Sequence, residues 1–105
     1  MGCNMSNSKL IDKTILADKT NYTNGRNGNK IKAVTVHHMA DVLTIEECGN
    51  YFRGKNRNAS SHYGIGSDGR VGLYVNEKDT AYTNSNFKSN TESVTIEVSN
   101  SKVGG

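Results

Sequence analysis

Two short segments carry side chains that could do chemistry together: Ala33-Val34-Thr35-Val36-His37-His38 and Ser93-Val94-Thr95-Ile96-Glu97-Val98. Alternation of valine or isoleucine with polar residues is the two-residue period of a β-strand, whose successive side chains leave opposite faces. Thr35 and His37 therefore share a face, as do Thr95 and Glu97, while Val34, Val36, Val94, Ile96 and Val98 point the other way. If both strands lie in one sheet with their polar faces aligned, an imidazole and a carboxylate stand on a common floor. Such a floor can present a metal ligand beside a general base. Taken singly, the same two residues read as ordinary hydrogen-bonded strand positions, so the surrounding elements decide.

Those elements are legible at several points. Thr44-Ile45-Glu46-Glu47 is a capping box, and Ile45, Cys48 and Phe52 recur at helical spacing before Gly54, which predicts a helix from Thr44 to about Arg53 with one face on the sheet. His62 to Val75 reads as a β-hairpin turning at Ser67-Asp68-Gly69. Residues 1–30 read as a polar arm closed by two Asn-Gly steps at Asn24-Gly25 and Asn27-Gly28, a tight-turn signal. Residues 76–92 read as a polar stretch leading to the last strand. The class is α/β, a mixed central sheet with a flanking helix.

Composition narrows the classes of function. A chain of 105 residues with 33% hydrophobic residues has room for one small, thinly cored domain. The net charge of +3 comes from dispersed cations without a basic stripe or interleaved aromatics, so no nucleic-acid partner is expected. No apolar run reaches membrane-span length and the first residues lack a secretory signal, so the expectation is synthesis in the cytoplasm and no membrane partner. The opening Met1-Gly2-Cys3-Asn4-Met5-Ser6 fits a loose acylation pattern, read as coincidence. Cys3 and Cys48 form no C-x-x-C pair and read as free thiols, Cys48 as a small hydrophobe on the helix face.

Laid in order, Val34-Thr35-Val36-His37-His38-Met39-Ala40, Ser60-Ser61-His62-Tyr63-Gly64-Ile65 with Asp68-Gly69, Glu77-Lys78-Asp79-Thr80-Ala81-Tyr82, and Asn90 through Val98 form an ordered set of motifs. The set resembles the zinc-dependent N-acetylmuramoyl-L-alanine amidases of the phage-lysozyme and peptidoglycan-recognition-protein type. The resemblance runs from about Lys30 onward, which makes residues 31–105 an amidase-type domain represented by its N-terminal part. It implies His37 as a zinc ligand, Glu97 as the catalytic carboxylate, His62 and Tyr63 lining or supporting the cleft, and Tyr82 and Asn84 in a wall-binding loop. His38, on the valine side, is expected to pack against a helix or behind the site.

The implied reaction is hydrolysis of the amide between N-acetylmuramic acid and L-alanine in peptidoglycan, by a zinc-activated water with Glu97 as base. Such an enzyme would act on the cell wall after release by lysis. The family completes its zinc site with a second histidine and a cysteine or aspartate after the glutamate strand, and this sequence has neither there. That departure leaves a second expectation, a non-catalytic peptidoglycan-binding module. An incomplete domain would also leave an apolar sheet surface uncovered, so self-association or a complementing C-terminal fragment is expected.

Overall fold

The computed structural model describes residues 7–100, so Cys3 and the acylation-like opening lie outside the described residues. The chain forms β1 (Lys13–Thr14), β2 (Tyr22–Thr23), β3 (Ala33–His38), α1 (Ile45–Arg53), β4 (Tyr63–Ile65), β5 (Val71–Leu73), β6 (Thr80–Ala81), α2 (Phe87–Thr91) and β7 (Ser93–Val98). Five strands make one mixed sheet in the order β1-β5-β4-β7-β3, and β2 pairs with β6 in a separate ribbon. β7 runs parallel to both β3 and β4, whereas β4 and β5 form the expected antiparallel hairpin. Gly69, at φ +84°, supplies the left-handed residue that this turn needs.

The capping box fixes where α1 starts: Thr44 Oγ1 accepts from the Glu47 N–H at 3.1 Å, and Glu47 Oε1 accepts from the Thr44 N–H at 2.9 Å. Ile45, Cys48 and Phe52 then point inward and are buried. The helix packs over the sheet face that carries Gly64 and Gly72. A Cβ on Gly72 would stand 3.2 Å from Ile45 Cβ, and one on Gly64 would stand 2.6 Å from Tyr74 Cε2. These two glycines make the space that the Tyr74 ring fills, and Tyr74 Oη donates to the Ile45 carbonyl at 2.8 Å. Gly64→Ala should therefore lower the unfolding free energy by about 1–3 kcal/mol in urea titration, because the new methyl would collide with a fully buried ring.

On the opposite face Tyr63, Leu73 and Val94 are buried, with Ile11, Ile31, Val71 and Ile96 packed on them. Coverage stops there: Val34 and Val36 are 65% and 59% exposed, and their strand β3 is the sheet edge. His38 shares this face and is exposed, where packing against a helix was expected. The correction has a steric cause, since α1 takes the glycine-bearing face instead.

Residues 7–30, expected as an arm, are woven against the sheet. β1 pairs with β5, the Ile15 N–H donates to the Leu73 carbonyl and the Ala17 N–H to the Tyr74 carbonyl, both at 2.8 Å. Ile15 and Ala17 enter the core beside Cys48, Phe52 and Tyr74. Gly25, Asn27 and Gly28 hold φ of 73°, 52° and 76°, so the paired Asn-Gly steps do form a tight turn. Arg26, between them, is directed inward and is 5% exposed. The polar stretch before β7 holds β6 and α2, the latter started by Asn86, whose Oδ1 accepts from the Ser89 N–H at 3.0 Å.

Candidate active site

The parallel register sets His37 of β3 directly beside Glu97 of β7. Neighbouring strands lie about 4.8 Å apart, so the two side chains rise from adjacent points of the same face. Glu97 borders a 440 Å³ pocket walled by Met39, Leu43, Cys48, Phe52 and Ala59. Its Oε2 is buried and has no hydrogen-bond partner among the described residues. Burial pushes the Glu97 carboxyl above its ordinary value, with His37 and then His38 pulling the other way. A buried carboxylate oxygen without a protein donor gains most when a proton, a cation or a water reaches it. The Cys48 thiol in the same wall is pushed up to about 11 by burial, which leaves it a packed thiol and not a nucleophile.

Ala59 also borders a second groove of 580 Å³, lined by Asn58, Tyr82, Asn84, Phe87 and Asn90. The two depressions thus meet at Ala59. His37 Nε2 lies 3.1 Å from Oδ1 of Asn84, a residue lining the second groove. Tyr82 borders it too, its hydroxyl held by Thr23 Oγ1 at 2.5 Å. The structure sets His37 beside Glu97 in register and joins His37 to Asn84, and Tyr82 shares the groove lining with Asn84.

His62 and Tyr63 stand elsewhere. His62 is fully buried: Nδ1 accepts the Thr95 N–H at 3.1 Å, and Nε2 lies 2.8 Å from the Asp79 carbonyl. A backbone N–H can only donate, so Nδ1 is the lone-pair nitrogen and Nε2–H donates to Asp79; the Arg26 Nη2 contact at 3.0 Å then sets donor against donor. Tyr63 faces the opposite side of the sheet from Glu97, paired in register with Ile96. Its hydroxyl meets the Glu77 carboxylate and accepts from the Ser8 N–H at 2.7 Å, and burial with Glu77 pushes it up to about 12.

Burial, partly countered by the Asp79 carbonyl and reinforced by Arg26, pushes His62 down from 6.5 to about 4. A folded value below the unfolded one means that the unfolded chain binds the extra proton between them. The stability contributed by neutral His62 is complete above pH 6.5 and is lost as pH falls toward 4, a difference of about 3 kcal/mol. Urea titrations from pH 7 downward should show the decline beginning near pH 6.5, before ordinary carboxylates protonate. Constant stability across that interval would contradict the buried, neutral ring.

A catalytic zinc site needs three protein ligands around one point. Among the described residues no three histidine, cysteine, aspartate or glutamate side chains gather in that way. His37 and Glu97 offer two donors, and both nitrogens of His62 are occupied. The residues present therefore do not fit a complete zinc site. Arg26 and Asn90, which organise the surroundings, gave no signal in the sequence, because neither stands in a periodic pattern that marks it as buried.

Fold and site together define an α/β domain with a histidine–glutamate pair on a mixed-sheet floor beside an open groove. The family model for N-acetylmuramoyl-L-alanine amidase matches residues 27–104. The chain belongs to that family. In fold it is similar to the structure of PlyL, at 24% identity and a TM-score of 0.71, over 89% of this chain and 60% of that one. A mutant structure of PlyL gives a TM-score of 0.70 at the same identity and coverage. The chain thus spans 60% of the length of these relatives. No curated protein matches the sequence. No helix among the described residues is long and apolar enough to cross a membrane.

Proposed function

We propose that the chain acts on bacterial cell walls as a peptidoglycan amidase, hydrolysing the amide between N-acetylmuramic acid and L-alanine. The observation that carries this reading is the partnerless Glu97 oxygen in register with His37 beside the groove, in a chain of the amidase family. Glu97 accepts a proton from the attacking water as the new C–O bond forms. It then returns that proton to the nitrogen as the C–N bond breaks, leaving a lactyl carboxylate and a free L-alanine amino group. The raised carboxyl favours this exchange, and it puts the acid limb of the pH–rate profile above the ordinary glutamate range. The groove lined by Asn58, Tyr82 and Phe87 would hold the wall polymer, amides and aromatic faces suiting its sugar and peptide groups.

The absence of three gathered metal donors among the described residues favours a second reading, a non-catalytic peptidoglycan-binding module. Zinc content by mass spectrometry, measured together with release of new L-alanine amino termini from purified walls, separates the two. Amidase activity requires the new termini. Wall binding without them supports the module.

The edge strand β3, with Val34 and Val36 exposed, is the basis for proposing that copies of the chain associate. Sedimentation equilibrium should show a concentration-dependent dimer or larger species that Val36→Lys disperses. A monomer at all concentrations would refute association.

A further inference from the structure

Every polar atom of Asn84 has a protein partner. Its N–H donates to Asn90 Oδ1 at 2.7 Å, its carbonyl accepts from Asn90 Nδ2 at 3.1 Å, and its Nδ2 donates to Ser89 Oγ at 3.1 Å. The remaining atom, Oδ1, faces His37 Nε2 at 3.1 Å. The supports are themselves anchored. Asn90 is 5% exposed and also accepts the Thr83 N–H at 3.3 Å, while Thr83 Oγ1 donates to Thr95 Oγ1 at 2.7 Å. Ser89 is tied to β7 through Ser93 Oγ, which donates to its carbonyl at 2.7 Å. The carboxamide is thus gripped from its own backbone, from α2 and from the last strand.

A carboxamide oxygen can only accept, so the imidazole nitrogen facing it carries the hydrogen. A neutral imidazole has one N–H, and its other nitrogen keeps the lone pair. We propose that Asn84 is a positioning residue that locks neutral His37 in the Nε2–H tautomer, leaving Nδ1 as the one lone pair of the ring. Asn84 then acts through His37 and does not bind the wall polymer itself. An unrestrained imidazole divides between two tautomers and ring orientations, and a site that depends on one of them works only in that fraction of molecules. The inference rests on the reading of His37 as part of the site.

The test is a long-range 1H–15N correlation spectrum of the histidine-15N-labelled chain at pH 8, which distinguishes a protonated from a lone-pair ring nitrogen. Wild-type His37 should show protonated Nε2 and lone-pair Nδ1. Asn84→Ala should lower the ratio of that tautomer to the other by about fivefold, the weight of one ordinary hydrogen bond. Asn84→Asp, which keeps an acceptor oxygen at the same place, should restore it. A protonated Nδ1 in the wild type would overturn the proposal, and so would an unchanged ratio in Asn84→Ala. The wild-type spectrum decides even if a variant fails to fold. Release of L-alanine termini by a chain whose His37 shows the other tautomer would sink the Asn84 role and leave the amidase reading standing. A locked tautomer without any turnover would do the reverse.

Discussion

Glu97→Gln should lower the release of L-alanine amino termini by about 10²–10⁴-fold, the usual contribution of a positioned general base. The substitution keeps the shape of the side chain and removes its ability to take a proton. Fold and wall binding should persist, because Glu97 Oε2 makes no hydrogen bond that the amide would break. Replacing a partly buried carboxylate with a neutral group also removes the desolvation cost that burial places on the charge. Wall binding measured beside activity sharpens the result. Activity that falls while wall binding stays constant fits a base, whereas equal losses of both would make Glu97 part of the binding surface.

The largest stability effect is expected at Arg26. This side chain, 5% exposed, donates from Nε to the Glu77 carbonyl at 2.7 Å and from Nη1 to the carbonyls of Thr91 and Ser93 at 2.9 and 3.0 Å. It ties the Asn-Gly turn, the segment after β5 and the start of β7 into one unit. Arg26→Ala leaves three carbonyls without that donor, at roughly 1–3 kcal/mol each, offset in part because a buried cation is also removed. The expected net loss is about 3 kcal/mol in urea titration. Arg26→Lys should recover little, since one ammonium cannot reproduce the planar fork that reaches three separate oxygens. A loss below about 0.5 kcal/mol, typical of surface positions, would show that the cluster carries no weight.

The parts of the fold that could be anticipated are those whose signal is local. β3 and β7 repeat every two residues over six positions, α1 announces itself through Thr44 and Glu47, and the hairpin turns at a glycine that needs positive φ. The alignment of His37 with Glu97 follows from strand period once the two strands are neighbours, but their adjacency is a tertiary fact. β1 was not legible because two residues are too few to show a period, and Lys13-Thr14 gains strand structure only by pairing with β5. The side chosen by α1 depends on Gly64 and Gly72 lying on one face with Tyr74 between sheet and helix, a relation among distant positions. The inward turn of Arg26 was hidden for a similar reason. A cation between two Asn-Gly steps reads as solvated until the carbonyls that receive it are in place.

On the proposed reading, the muramoyl–alanine amide should sit where His37 and Glu97 meet the groove at Ala59. Adding N-acetylmuramoyl-L-alanine to the 15N-labelled chain and following backbone shifts tests it most directly, with or without turnover. Perturbations should concentrate at His37, Ala59, Tyr82 and Glu97. Perturbations gathered instead along the groove of Lys13, Asn50 and Arg53 on the far side of α1 would contradict it, as would a spectrum that does not change.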